Sequence, residues 1–103
     1  MIIYVDIDDT ICTNTDKYLD YSTSLPIRNR IKRINELFDQ GHTIIYWTAR
    51  GTRTGINWFN VTLGQLNLWG CKFHELRMNK PAYDLFIDDK NINSDTYFND
   101  KVD

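Results

Sequence analysis

Two carboxylates stand two residues apart near the beginning of the chain, directly after an apolar run. Asp6 and Asp8 follow residues 2–5, whose sequence Ile-Ile-Tyr-Val is typical of a strand buried on both faces. Asp and Thr could simply end such a strand through hydrogen bonds to the nearby backbone. Clustered acids, however, repel one another unless a cation or a raised pKa relieves the repulsion. Residues 6–10 alone therefore allow either a turn or a reactive site.

The chain carries a hydroxyl, an ammonium group and a second pair of acids in comparable places. Thr48 follows the second predicted strand, Lys80 precedes the last one, and Asp88 and Asp89 end it. Several carboxylates without histidine or cysteine partners are hard oxygen ligands that suit Mg²⁺, which shares its shell with phosphate oxygens. Lys80 supplies a cation, and the Thr48 hydroxyl and nearby backbone N–H groups such as that of Ala49 can donate to phosphate. These residues predict a site for a phosphoryl group.

The apolar pattern predicts alternating strands and helices that would bring these groups together. We expect strands at 2–6, 43–47, 73–76 and 83–87, and helices at 26–40 and 62–69. This order implies a parallel α/β sheet with right-handed crossovers. Ligands bind such sheets outside the carboxyl ends of the strands, where the candidate residues are expected.

The two predicted helices rest on different signals. The first has apolar residues at the spacing of one helix face, with Pro26 in its first turn and Gly41 at its end; these residues are Ile27, Ile31, Ile34, Leu37 and Phe38. The second begins with Thr62-Leu63-Gly64-Gln65, which matches a T-x-x-Q capping box, and ends at Gly70. In the polar tail, Tyr97 and Phe98 are the expected anchors.

Length and composition limit the setting. With 103 residues and 42% apolar content, the chain is expected to form a single globular domain over 1–103. A net charge of −2 offers no overall attraction to nucleic acid or to an anionic membrane. Cys12 and Cys71 form no disulfide framework or zinc motif and are expected to be small buried apolar groups. A cytoplasmic location is the expectation, because the first apolar run is too short for an export signal or a membrane span.

The ordered residues resemble the four motifs of the haloacid dehalogenase superfamily of aspartate-nucleophile phosphatases. These are Asp6-Ile7-Asp8-Asp9-Thr10, then Thr48, then Lys80, then Asp88-Asp89. The stretches 44–51, 80–81 and 86–90 are similar, more narrowly, to small capsule-biosynthesis phosphatases of this superfamily. The resemblance implies a three-layer Rossmann-like fold with a small central parallel sheet and no cap domain.

The resemblance also implies roles for individual residues. Asp6 would be the nucleophile that forms an aspartyl-phosphate, and Asp8 would move the proton as acid and then as base. Mg²⁺ would be held by Asp6, by the backbone carbonyl of Asp8, and by Asp88 or Asp89, of which Asp88 is favoured. Asp9 matches no family role and is expected to be a solvated or turn-stabilising acid.

The short gaps between the motifs leave no room for a cap domain, so the site is expected to be open or to be covered by a neighbouring subunit of a homo-oligomer. Candidate substrate contacts are Tyr18, Tyr21, Arg50, Arg53 and Trp58. The implied function is hydrolysis of a phosphorylated sugar or capsular polysaccharide precursor. The alternatives are a nucleotide or nucleic-acid 3′-end phosphatase, which the low basicity disfavours, and a non-catalytic module that binds an anion.

Overall fold

A parallel three-stranded sheet is the centre of the molecule. The computed structural model describes residues 1–14 and 20–100. In the order β1-β4-β5, the sheet contains β1 (Ile2–Val5), β4 (Thr43–Trp47) and β5 (Glu75–Arg77). All pairings in this sheet are parallel, with Val5 opposite Tyr46 and Tyr46 opposite Leu76. The predicted parallel α/β arrangement is therefore confirmed for these strands.

One face of this sheet carries the core. Ile3 and Val5 align with Ile44 and Tyr46, and this face packs against the helices α1 (Arg28–Asp39) and α2 (Phe59–Leu68). From the predicted apolar face of the first helix, Ile31, Ile34 and Leu37 are buried and Phe38 is partly buried against the cluster. The helix begins two residues after Pro26, which instead belongs to a short strand.

The opposite face of the sheet is uncovered along β1, although Ile45 of the central strand is buried there. Strand alternation places Ile2, Tyr4 and Trp47 on this face, and Ile2 is 70% exposed. The Tyr4 ring contacts Trp47 edge to face at 5.8 Å and lies beneath the Arg77 guanidinium at 5.4 Å. The prediction that the first strand is buried on both faces is therefore wrong. The third layer expected from the resemblance is absent from the described residues, because α1 and α2 contribute to the same cluster.

The second helix begins earlier than its sequence predicted. The α2 helix starts at Phe59, with Trp58 as its N-cap residue and no side-chain capping bond. Thr62 lies inside the helix and is fully buried, and its hydroxyl accepts a hydrogen bond from Arg50. The predicted capping box is therefore wrong, because Thr62 and Gln65 point at a buried guanidinium instead of at the helix end.

The last third of the chain departs most from the prediction. The third strand is shifted to Glu75–Arg77, and residues 83–87 form no strand and are exposed. A short helix follows, α3 (Ser94–Phe98), whose Phe98 packs against the core while Tyr97 remains exposed.

Two short strands near the beginning of the chain pair antiparallel, β2 (Cys12–Thr13) with β3 (Leu25–Pro26). No helix within the described ranges is long and apolar enough to cross a membrane.

The loop after β4 depends on a glycine that nothing else can replace. Gly51 has φ +81°, and a Cβ there would lie 2.1 Å from the backbone oxygen of Ile56. Gly55, four residues on, also has a positive φ of +77°, but a Cβ there would meet nothing within 4 Å. Backbone strain is common to both positions, whereas the steric clash occurs only at Gly51.

We predict that Gly51→Ala destabilises the fold more than Gly55→Ala does. Gly55→Ala should lower the free energy of unfolding by about 1–2 kcal/mol through its left-handed backbone. Gly51→Ala should cost roughly 1–3 kcal/mol more, because the backbone at residue 56 has to move. Urea denaturation of both variants measures the difference. Equal unfolding free energies would contradict the close approach of Gly51 to residue 56.

Candidate active site at the carboxyl edge of the sheet

Asp6 and Lys80 meet at the carboxyl edge of the sheet. Asp6 is the first residue after β1, and its Oδ1 lies 3.6 Å from Lys80 Nζ. The backbone holds Lys80 there, because its N–H donates to the Thr48 carbonyl at 3.0 Å and its own carbonyl accepts from Thr52 Oγ1 at 2.8 Å. The structure thus brings Lys80, three residues past the end of β5, to the ends of β1 and β4, at the edge of the sheet where the sequence predicted it.

Burial and charge act on Asp6 in opposite directions. Burial raises the pKa of its carboxyl group above the ordinary value of 3.8, while the Lys80 ammonium group and the backbone N–H of Ile7 lower it. Burial is the largest of these effects, so the pKa is raised overall. A cation near Asp6 would therefore favour its ionised form.

Asp6 and Lys80 line an open groove of about 440 Å³. The wall also includes the predicted substrate contacts Tyr21, Arg53 and Trp58. Tyr21 and Trp58 pack edge to face at 5.1 Å and form an aromatic side of the groove. Tyr18, another of the five predicted contacts, lies outside the described residues.

The segment after β4 forms part of the wall of this groove. Ala49 and Gly51 line the groove, whereas the Thr48 side chain is fully buried. The Thr48 hydroxyl accepts a hydrogen bond from the Arg50 backbone N–H at 3.1 Å, so it braces the turn. Of the two predicted phosphate contacts after β4, Ala49 thus lies in the groove, while the hydroxyl of Thr48 faces inward.

Arg50 is a structural residue, and its predicted contact with substrate is wrong. Its side chain has no solvent exposure, and its guanidinium binds Asp8 through Nε at 3.0 Å and Nη2 at 2.9 Å. The guanidinium also donates to Ser24 Oγ (3.2 Å), directly before β3, and to Thr62 Oγ1 (3.1 Å) and Gln65 Oε1 (2.6 Å) of α2. The signal for this role was the T-x-x-Q pair itself, two polar residues one turn apart on one helix face.

Asp8 points away from the groove that Asp6 lines. Both of its carboxylate oxygens accept from Arg50, and Oδ1 also accepts from Asn14 Nδ2 at 2.9 Å. Cys12 Sγ lies 3.5 Å from the same oxygen, and burial raises the pKa of this thiol to about 12. The expectation that Cys12 is a buried apolar group is confirmed, since it belongs to the core cluster.

Asp9 differs from both of its acidic neighbours. It is exposed, and its φ of +60° lies in the left-handed region, where Asp and Asn are the non-glycine residues best tolerated. Its N–H donates to the Cys12 carbonyl at 2.9 Å, which closes the turn after β1. The prediction of a solvated acid in a turn is confirmed.

Asp88 and Asp89 do not reach the site within one chain. Both are exposed, and across residues 1–14 and 20–100 no three acidic, histidine or cysteine side chains are grouped to hold a metal ion. The reason is that residues 83–87 form no strand beside β1. The metal ligands expected from sequence are therefore incomplete in the single chain.

One solved structure has a similar fold. It is a structural-genomics target from Vibrio cholerae, which matches with a TM-score of 0.83 and 24% sequence identity over 94% of this chain and 87% of that chain. No protein-family model and no curated protein matches the sequence. At this identity the likeness concerns the fold alone.

We predict that Asp8→Asn lowers stability because it leaves the buried Arg50 charge without its counter-ion. The expected loss in unfolding free energy is about 3 kcal/mol, the cost of removing one partner of a buried pair. Asp9→Asn is the matched control, because it makes the same change one residue on at an exposed position that tolerates Asn. Chemical denaturation compares the two variants. Similar midpoints for both would show that Arg50 does not depend on Asp8.

Proposed function

We propose that the protein is a phosphomonoester hydrolase of the haloacid dehalogenase superfamily, with Asp6 as its nucleophile. The observation that carries the proposal is the Asp6–Lys80 pair at the floor of the groove. A carboxylate at a strand end with an ammonium group beside it can attack phosphorus while the cation offsets the charge of the phosphoryl oxygens. The order of the four sequence motifs supports the same reaction.

The reaction proceeds in two steps at one phosphorus atom. An Asp6 oxygen forms a bond to phosphorus, the bond to the leaving oxygen breaks, and that oxygen takes up a proton. Water then attacks the aspartyl-phosphate, which releases phosphate and restores Asp6. In this proposal Lys80 binds the phosphoryl oxygens, together with backbone N–H groups of Ala49 and Gly51, which line the same groove.

Asp8 is proposed to move the protons in both steps. In the conformation described here, Arg50 engages both of its oxygens, so neither faces a leaving group. Catalysis by Asp8 therefore requires its side chain to exchange Arg50 for the substrate oxygen. Asn14 and Arg50 are the residues that set the cost of this rotation.

Mg²⁺ is part of the proposal through the motif resemblance, since Asp6 opens to the groove as an oxygen ligand. The donors described in one chain do not form a complete site, so we assign no step to the metal. When bound, Mg²⁺ would offset the repulsion between Asp6 and a phosphate dianion.

The groove favours a small substrate with one flat apolar face. Its aromatic side, formed by Tyr21 and Trp58, can pack against a sugar ring or a base, and Arg53 lines the same wall. The net charge of −2 favours a small phosphoester, such as a phosphorylated sugar or capsule precursor, over nucleic acid. Sugar phosphates, nucleotides and 3′-phosphorylated oligonucleotides are therefore the three arms of a substrate panel.

We predict that Asp6→Asn abolishes phosphate release on this panel, with a loss of at least about 10³-fold in kcat. The amide cannot form the aspartyl-phosphate, although it preserves the shape of the side chain. Asp9→Asn is again the control and should retain turnover close to that of the wild type, because Asp9 faces solvent. Undiminished turnover by Asp6→Asn would remove the nucleophile assignment. An inert wild type that still binds beryllofluoride would favour the anion-binding module.

A further inference from the structure

The β1 strand has a free edge. Among the described residues, β1 pairs only with β4, so its other edge has no strand partner. The neighbouring face of the sheet is the uncovered one, where Ile2 and Tyr4 are exposed. An unpaired edge beside exposed apolar side chains is a template for another strand.

Residues 83–87 have the composition of a strand but no partner. Their sequence is Tyr-Asp-Leu-Phe-Ile, which is rich in the aromatic and branched residues that favour strands. Within the described part of the chain they pair with nothing, and Leu85 and Ile87 are 75% and 88% exposed. An apolar run this exposed indicates a surface that another protein segment covers.

The chain cannot place this segment in parallel along its own β1. Lys80 is fixed at the carboxyl edge by its bond to the Thr48 carbonyl. A parallel strand that ends at Asp88 would have to start near the amino end of β1, about 15 Å back along the sheet and two strand spacings of about 4.8 Å across. The three residues from Lys80 to Tyr83 span about 10 Å when fully extended. This length is too short to reach the starting point of such a strand.

An antiparallel strand within the chain is short enough but has the wrong polarity. Residues 83–87 would then run from the carboxyl edge towards the amino edge of the sheet. Asp88 would be delivered to the end of the sheet opposite Asp6. Only a parallel strand from another copy leaves Lys80 on its own Asp6 and also brings an Asp88 to that edge.

We propose that two copies of the chain exchange residues 81–100, so that residues 83–87 of each copy extend the sheet of the other copy along β1. Asp88 of each copy then lies beside Asp6 of the other copy and supplies the metal ligand that the single chain lacks. The role of Asp88 rests on the proposed function, whereas the exchange itself rests on the strand geometry.

The contacts of α3 are compatible with this exchange. Ser94 Oγ donates to the Asp9 carbonyl at 3.3 Å, so the chain returns to the carboxyl end of β1 only six residues after Asp88. Asp95 and Asp100 bind the buried Arg30 of α1 at 3.0 and 2.7 Å. In the exchanged dimer, residues 83–87 of one copy lie beside β1 of the other copy. The chain then continues to Asp9 and Arg30 of that other copy, so the contacts of α3 form between copies.

A cross-link between positions 9 and 94 tests the exchange without any reference to activity. The variant Asp9→Cys with Ser94→Cys, treated with a short bismaleimide, should give a covalent species of twice the chain mass of 12.2 kDa. The wild type, which has only Cys12 and Cys71, is the control and should remain at the mass of one chain. A reagent bridge between the two cysteines of one chain, located by mass spectrometry, would overturn the exchange.

Complementation between two inactive variants tests the shared site. Asp6→Asn and Asp88→Asn, co-expressed with different tags and purified as the mixed dimer, should recover about half of the wild-type kcat, because one of the two sites is intact. If each chain builds its own site, the mixed dimer stays as inactive as its parents, and that result overturns the proposal.

The control pair is Asp6→Asn with Lys80→Ala. In the exchanged dimer, each site takes both Asp6 and Lys80 from one chain. Each site of this mixed dimer therefore carries one of the two substitutions, and the dimer should remain inactive. A wild type without phosphatase activity on the whole panel would remove the proposed function, while the cross-link would still decide the exchange. The two proposals can therefore fail separately.

Discussion

The buried guanidinium of Arg50 is the interaction on which the site depends. It joins the turn after β1, through Asp8, to Ser24 and to the polar face of α2, while the Tyr21 ring lies 4.7 Å from its Cζ atom. Three segments distant in sequence are thus held around one charge. A buried guanidinium is tolerable only when its donors are paired, so these partners constrain one another. Tyr21, which packs on this charge, also lines the groove.

Two acids that are adjacent in the motif consequently have different surroundings. Asp6 faces the groove and Lys80, whereas Asp8 faces inward to Arg50. Ile7 between them is fully buried, which anchors the turn from which the two carboxylates diverge. The structure therefore separates a carboxylate that faces the groove from one that Arg50 holds inward.

The sequence predicted the features that arise from local pattern and strand direction. Hydrophobic periodicity predicted the β1 and β4 strands and the apolar face of α1. The shared carboxyl edge of a parallel sheet predicted that Asp6 and Lys80 would meet. Arg50 and Thr62 were misassigned because the T-x-x-Q spacing fits a capping box as well as a pair of buried partners, and spacing does not show which group they face across the core. The strand predicted at 83–87 is absent from the single chain, because a strand-like composition does not supply the neighbouring strand with which it would pair.

The central claim is that Asp6 carries the phosphoryl group during turnover. Its most direct test is an acid quench of the wild type during hydrolysis of a substrate from the panel, followed by mass spectrometry of the peptide containing residues 6–10. We expect phosphate on Asp6, and none on the same peptide from Asp6→Asn. Phosphate on another residue, or continued phosphate release with Asp6 never modified, would contradict it.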